Sequence, residues 1–136
     1  MARILGIDYG LKRCGVATTD PMQLIVTGLT TVETSSIFSF LENYFKDENV
    51  EKIVVGLPVH KDGNFTYLKY NIDLFTSLFS QKWPLVIVDY ADEQFSSQRA
   101  KQIIMESGAK KKTRQDKSLV DKISAVIILQ RYLKHI

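Results

Sequence analysis

Asp8 closes an apolar run in "ILGIDYGLKRCGVATTD", and a turn carrying Gly10, Lys12 and Arg13 follows it. Further acids occupy comparable places: Asp89, Asp92 and Glu93 come at and just after the end of "LVIVD", and Asp121 stands near the start of "KSLVDKISAVIILQRYL". If Asp8, Glu93 and Asp121 converge, any two carboxylates about 4 Å apart repel by roughly 4 kcal/mol at an effective dielectric of 20. Whole domains are stable by only about 5 to 15 kcal/mol. A divalent cation removes the conflict, and an all-oxygen donor set suits Mg2+ or Mn2+. Magnesium held this way activates water and stabilises charge on the attacking and leaving oxygens of a phosphodiester. Two of these acids also have a plainer use. Glu93 in a first helical turn is favoured by the helix dipole alone, by about 0.3–1 kcal/mol, and Asp121, three residues after Ser118, fits a capping-box-like pair.

Basic residues alternate with these acids. Lys12 and Arg13 lie four and five residues beyond Asp8, and "KKKTRQDK" supplies Lys110, Lys111, Lys112, Arg114 and Lys117 just ahead of Asp121. The net charge is only +3, but its placement is uneven, because Glu42, Asp47, Glu48 and Glu51 make another region acidic. A basic cluster beside acids favours a phosphate-bearing partner, and a solvated surface loop has the same composition.

The elements that must position these groups follow from periodicity. Arg3 to Asp8, Cys14 to Thr19 and Leu24 to Val32 read as three short strands in an antiparallel meander. Behind the capping candidates Thr34 and Ser35, residues Ile37, Phe38, Phe40, Leu41, Tyr44 and Phe45 recur at helical spacing. "KIVVGLP" is a buried-strand signature, followed by a helix through Leu68, Ile72, Phe75, Leu78 and Phe79. "LVIVD" repeats the strand signature, a third helix runs to a stop at Gly108, and the last helix begins near Ser118. A meander followed by β-α-β-α predicts an α/β domain: a mixed five-stranded sheet with helices on both faces and crossover strands parallel to the first. Ligands in such sheets gather beyond the carboxyl ends of the strands, where Asp8 lies.

Several classes are excluded. With 136 residues, 45% hydrophobic and 24% charged, and no linker or internal repeat, residues 1–136 suit one globular domain. Apolar runs are too short for a signal peptide or a membrane span, which predicts a cytoplasmic protein without membrane association. The single cysteine, Cys14, forms no internal disulfide and no zinc spacing, and reads as a small buried residue. "GLPVHKDG" reads as a tight connection requiring Gly56, Pro58 and Gly63, ahead of the alternative that it is a loop at the strand's end shaping the substrate edge, and its His60 has no second histidine nearby.

"GIDYGLKRCGVATTD", "VVGLPVHKDG", "DEQFSSQRA" and "KSLVDKISAVIILQRYL", in this order and across the whole chain, together resemble the YqgF/RuvX family. The resemblance implies a ribonuclease-H-like three-layer α/β/α fold and a metal-dependent nuclease that helps mature the 5′ end of pre-16S ribosomal RNA. It makes Asp8, Glu93 and Asp121 a catalytic, metal-binding triad and matches Lys12 and Arg13 to the family's basic pair. One departure stands out: the family's Asp-Glu-Arg-Leu is Asp92-Glu93-Gln94-Phe95 here, which removes a fixed charge; if that arginine meets substrate phosphate, this chain binds more weakly there or uses Arg99 or Lys101 instead. Ser96 and Ser97 keep the hydroxyl character of that block, with helix capping as their first use. The resemblance leaves a branched-DNA substrate, as for a Holliday junction resolvase, beside RNA, with a monomer or weak homodimer as the working unit. A non-catalytic RNA-binding assembly factor is the alternative from another class. "GIDYG" also resembles the first phosphate loop of actin-like ATPases, but those need two such subdomains and this chain holds one.

Overall fold

The segment "RILGIDY" becomes the central strand because its apolar residues alternate between two covered faces. In the computed structural model, which describes residues 2–57, 67–92, 96–108 and 116–136, β1 (Arg3–Tyr9), β2 (Arg13–Thr19) and β3 (Val26–Glu33) form the expected antiparallel meander. β4 (Val50–Leu57) runs parallel to β1, and β5 (Ile87–Asp92) runs parallel to β4. The sheet order is β3-β2-β1-β4-β5, so β1 and β5 point the same way with β4 between them.

Four helices among the described residues cover the sheet. α1 (Ile37–Asp47) and α2 (Tyr67–Lys82) lie on the face of Leu5, Ile7, Cys14 and Val16, where Ile37, Leu41, Ile72, Phe75 and Phe79 are buried. The opposite face belongs to α4 (Lys117–Tyr132), whose Ala125, Ile128 and Leu129 pack on Ile4, Ala17 and Val54. α3 (Ser96–Glu106) rests on α4 through Ala100, Ile104, Val120 and Ile127. The near-continuous apolar stretch of α4 is explained by this burial between sheet and helix. α3 stops where Gly108 takes φ +74, as its glycine predicts. No helix among the described residues is long and apolar enough to cross a membrane.

Four local expectations are corrected. Leu24 and Ile25 fall outside β3 and are exposed, because the Asp20 carboxylate accepts the backbone N–H groups of Met22, Leu24 and Ile25 at 3.1, 2.7 and 2.6 Å and closes a turn there. Those bonds hold the Asp20 carboxyl below its ordinary range. β5 begins at Ile87 and continues to Asp92; Leu85, in the turn after Pro84, is 94% exposed. Asp89 is therefore mid-strand, opposite Val54, and does not follow the strand. Thr34, expected as a cap, begins a 3-10 turn instead, and its hydroxyl donates to the Gly10 carbonyl at 2.7 Å. The N-cap of α4 is Asp116, which accepts from the Ser118 N–H at 2.9 Å, so Ser118 is already inside the helix.

Candidate functional site

Asp8 projects from the α4 face of β1, two residues beyond Gly6. Its register partner on β2 is Gly15. A Cβ built on Gly15 would lie 1.9 Å from the Asp121 carbonyl oxygen and 2.4 Å from its carbon. The backbone of α4 thus presses directly on β2 at the residue opposite Asp8, which any side chain at position 15 would prevent. The same helix stripe continues along the strand: a Cβ on Gly6 would lie 3.0 Å from the Leu129 Cβ and 3.1 Å from the Ala125 carbonyl oxygen. Asp121, Ala125 and Leu129 are spaced four apart and share one helix face. Four helix residues rise about 6.0 Å, and two strand residues span about 6.8 Å. Stepping from Ala125 back to Asp121 therefore keeps pace with stepping from Gly6 on to Asp8. This matched step lays the backbone of Asp121 against the strand partner of Asp8, 113 positions away in sequence, and both carboxylates contribute to the electrostatic surroundings of the Cys14 thiol.

Burial first, and then these two carboxylates, push that thiol up to about 11, against the lowering effect of the Thr34 hydroxyl and the Gly10 backbone. Cys14 is thus a neutral, fully buried packing residue at physiological pH, as its sequence context predicts. The turn after Asp8 is rigid. Gly10 N–H donates to the Arg13 carbonyl at 3.0 Å, Thr34 N–H donates to the Lys12 carbonyl at 3.0 Å, and a Cβ on Gly10 would lie 2.6 Å from the Arg13 oxygen.

Arg13 shares the α4 face of β2 with Gly15, and its Nε donates to Asp121 Oδ2 at 2.8 Å. The pair is partly open, with side-chain exposures of 36% for Arg13 and 22% for Asp121. Asp121 is thus no capping-box partner of Ser118. Beside this pair, Leu11, Lys12, Arg13, Thr31, Val32 and Ser118 line an open cleft of about 520 Å³. Lys12, which lines the cleft, is exposed, and so is Lys117, the residue before Ser118. Arg99 is exposed and donates to Gln102 Oε1 at 3.0 Å, and Lys101 is exposed as well. Glu93, Gln94, His60, Lys110, Lys111, Lys112 and Arg114 lie outside the described residues. Among the described residues no three His, Cys, Asp or Glu side chains form a group able to hold a metal ion.

Sequence reasoning missed two features. Gly15 inside a strand pattern was the available signal of a close backbone approach. Asp89 belongs to a separate network at the far end of α4, where Tyr132 Oη donates to Asp89 Oδ2 at 2.7 Å and accepts from Lys52 Nζ at 2.8 Å. The tyrosine hydroxyl, then the Tyr90 N–H and Lys52, hold the Asp89 carboxyl below its ordinary range.

The family described as "RuvX: Holliday junction resolvase" matches residues 2–135. The chain belongs to the RuvX family. Within it, a relative from Christiangramia forsetii named "Putative pre-16S rRNA nuclease" is 48% identical over 133 residues, covering 98% of both chains. One of the same name from Bacteroides fragilis is 47% identical over 134 residues, covering 98% of this chain and 97% of its own. Among solved structures, the fowlpox virus resolvase with its substrate Holliday junction DNA matches with a TM-score of 0.59 at 14% identity, covering 98% of this RuvX chain and 97% of its own. RuvC of T. thermophilus with a Holliday junction substrate matches with a TM-score of 0.56 at 15% identity, covering 99% and 96%. The RuvX chain therefore has the ribonuclease-H-like α/β architecture of these resolvases.

Proposed function

We propose that residues 1–136 form one metal-dependent nuclease domain that hydrolyses phosphodiester bonds near the 5′ end of pre-16S rRNA in the cytoplasm, as a monomer or weak homodimer. The observation that supports the reading is the contact of the Asp121 backbone in α4 with Gly15, the register partner of Asp8 near the edge where β1 ends. The name shared by relatives at 46–48% identity favours RNA over branched DNA as substrate, since the likeness to junction resolvases at 14–15% identity speaks for the fold alone.

The donors fit a hard cation: Asp8 and Asp121 offer only carboxylate oxygens, with no histidine beside them among the described residues and a cysteine that stays protonated. Asp8 and Asp121, with Glu93 as the third acid one residue after β5, would hold Mg2+ or Mn2+. Bound there, the ion supplies an activated water and charge stabilisation for phosphodiester hydrolysis. The chain's own contribution is placement. The glycine contact fixes the spacing of the acids, Asp116 caps the helix that carries Asp121, and the Gly10 turn holds Lys12 beside the cleft. Lys12, Arg13 and Lys117, with Lys110, Lys111, Lys112 and Arg114, would neutralise RNA phosphates, and binding through about five such contacts gives a log–log salt slope near −3.5 for single strands.

The test is cleavage of a precursor 16S 5′ fragment with and without Mg2+ by wild type and Asp8→Asn, with a four-way DNA junction as a parallel substrate. Magnesium-dependent RNA cleavage that falls at least about 100-fold in the variant is expected. Equal rates would remove Asp8 from the chemistry, and junction cleavage without RNA cleavage would move the substrate to DNA.

A further inference from the structure

Arg13 does more than the sequence assigns to it. An arginine meant only to meet phosphate gains from a side chain free to swing outward, whereas the Arg13 Nε is bonded to Asp121 Oδ2 at 2.8 Å, across 108 residues of sequence. The guanidinium is always protonated and carries five donors in a rigid plane, so it orients the carboxylate that it touches. The pair is held at both ends. Arg13 begins β2, where its carbonyl accepts the Gly10 N–H and its backbone pairs with Glu33, and Asp121 sits in the helix segment that the bare Gly15 admits.

Resting on the metal-site reading above, we infer that Arg13 is a positioning residue for Asp121, a tethered monovalent cation that aims the carboxylate in the metal-free protein and lowers the site's affinity for a divalent ion. Two effects combine. Oδ2 already spends one of its lone-pair directions on Arg13, so an incoming ion must share that oxygen or use the other. A fixed positive charge a few ångströms from the site also repels the ion: for charges of +1 and +2 about 6 Å apart in a water-like dielectric, the repulsion corresponds to roughly a tenfold change in affinity. In return, the metal-free protein carries its acid cluster without strong self-repulsion. Arg13 thus trades metal affinity for a site that is already shaped before the ion arrives.

The experiment is calorimetric titration of the full chain with Mn2+, together with thermal unfolding with and without Mn2+, on wild type, Arg13→Gln, Arg13→Lys and Asp121→Asn. The glutamine keeps an amide donor without the charge, and the lysine keeps the charge without the planar fork. Arg13→Gln is expected to bind Mn2+ about tenfold more tightly, to melt at a lower temperature without metal and to gain more on adding Mn2+. Arg13→Lys should keep the wild-type affinity. The double variant Arg13→Gln/Asp121→Asn should lose no further metal-free stability relative to Asp121→Asn. Unchanged or weaker binding by Arg13→Gln overturns the inference, and so does tighter binding by Arg13→Lys. If wild type itself shows no saturable Mn2+ site, the metal reading falls and takes this inference with it; a wild-type site that Asp121→Asn abolishes but Arg13→Gln does not tighten sinks the Arg13 role alone.

Discussion

The two faces of the sheet are built on opposite principles. Under α1 and α2 the gap is filled by rings: Phe79 and Trp83 have centroids 4.9 Å apart, Phe45 and Trp83 5.0 Å, and Tyr9 and Phe75 5.0 Å. Under α4 the sheet offers Gly6, Gly15, Ala17 and Gly28, and the helix comes down until backbone meets backbone. Large side chains hold a helix at a distance, and small ones let it approach. A carboxylate on a strand and another on a helix have short reach, so they can share a ligand only on the thin face. The thick face provides stability, and the thin face provides a distance.

Substitutions can pull these two roles apart. The largest expected loss of stability is on the thick side: Phe79→Ala removes a fully buried ring and should cost about 3–5 kcal/mol in denaturant unfolding, while the molecules that remain folded bind Mn2+ as wild type does. Loss of Mn2+ binding from the folded fraction would show that the faces are not separable. Gly15→Ala comes next, at about 3 kcal/mol, because its Cβ meets backbone that has no room to yield. Unlike Phe79→Ala it should also abolish Mn2+ binding, by lifting Asp121 away from Asp8. Gly6→Ala is a graded version of the same insult: contacts of 3.0 and 3.1 Å call for a shift of tenths of an ångström, so a cost of about 1 kcal/mol with metal binding retained is expected.

The smallest effect belongs to the far end of α4. Tyr132→Phe removes one hydrogen bond to Asp89 and one from Lys52, and should cost about 1 kcal/mol at neutral pH. Because Asp89 has a lowered folded-state pKa, its contribution is complete above the unfolded carboxylate value of about 3.9 and is lost as pH falls through the folded value. The stability gap between wild type and Tyr132→Phe should therefore be full at pH 7 and narrow below about pH 4, leaving only the part due to the Lys52 bond. A gap that stays constant down to pH 2 would show that Asp89 is not the partner that matters.

Much of this architecture is legible in the sequence, for a physical reason. Strands buried on both faces must be apolar throughout, as "ILGI" and "IVVGL" are, and helices buried on one side must repeat at 3.6 residues, as Ile72, Phe75 and Phe79 do. Boundaries set by a single side chain are not legible this way. Asp20 diverts Leu24 and Ile25 from β3 by capturing their N–H groups, and Asp116 displaces Ser118 as the cap of α4. At the site, Asp8 and Asp121 are conspicuous as acids at the ends of apolar elements. Their meeting is harder to read, because it depends on Gly15 having no side chain, and the Arg13–Asp121 bond is a tertiary contact that no local pattern announces.

The central claim is that Asp8 and Asp121 serve one divalent ion above Gly15. Anomalous diffraction from crystals soaked in Mn2+ measures this directly. The account predicts a manganese peak at coordination distance, about 2 Å, from an oxygen of each of these two carboxylates. Ordered density for both side chains with their oxygens directed into separate regions, and manganese absent or bound elsewhere, would contradict it.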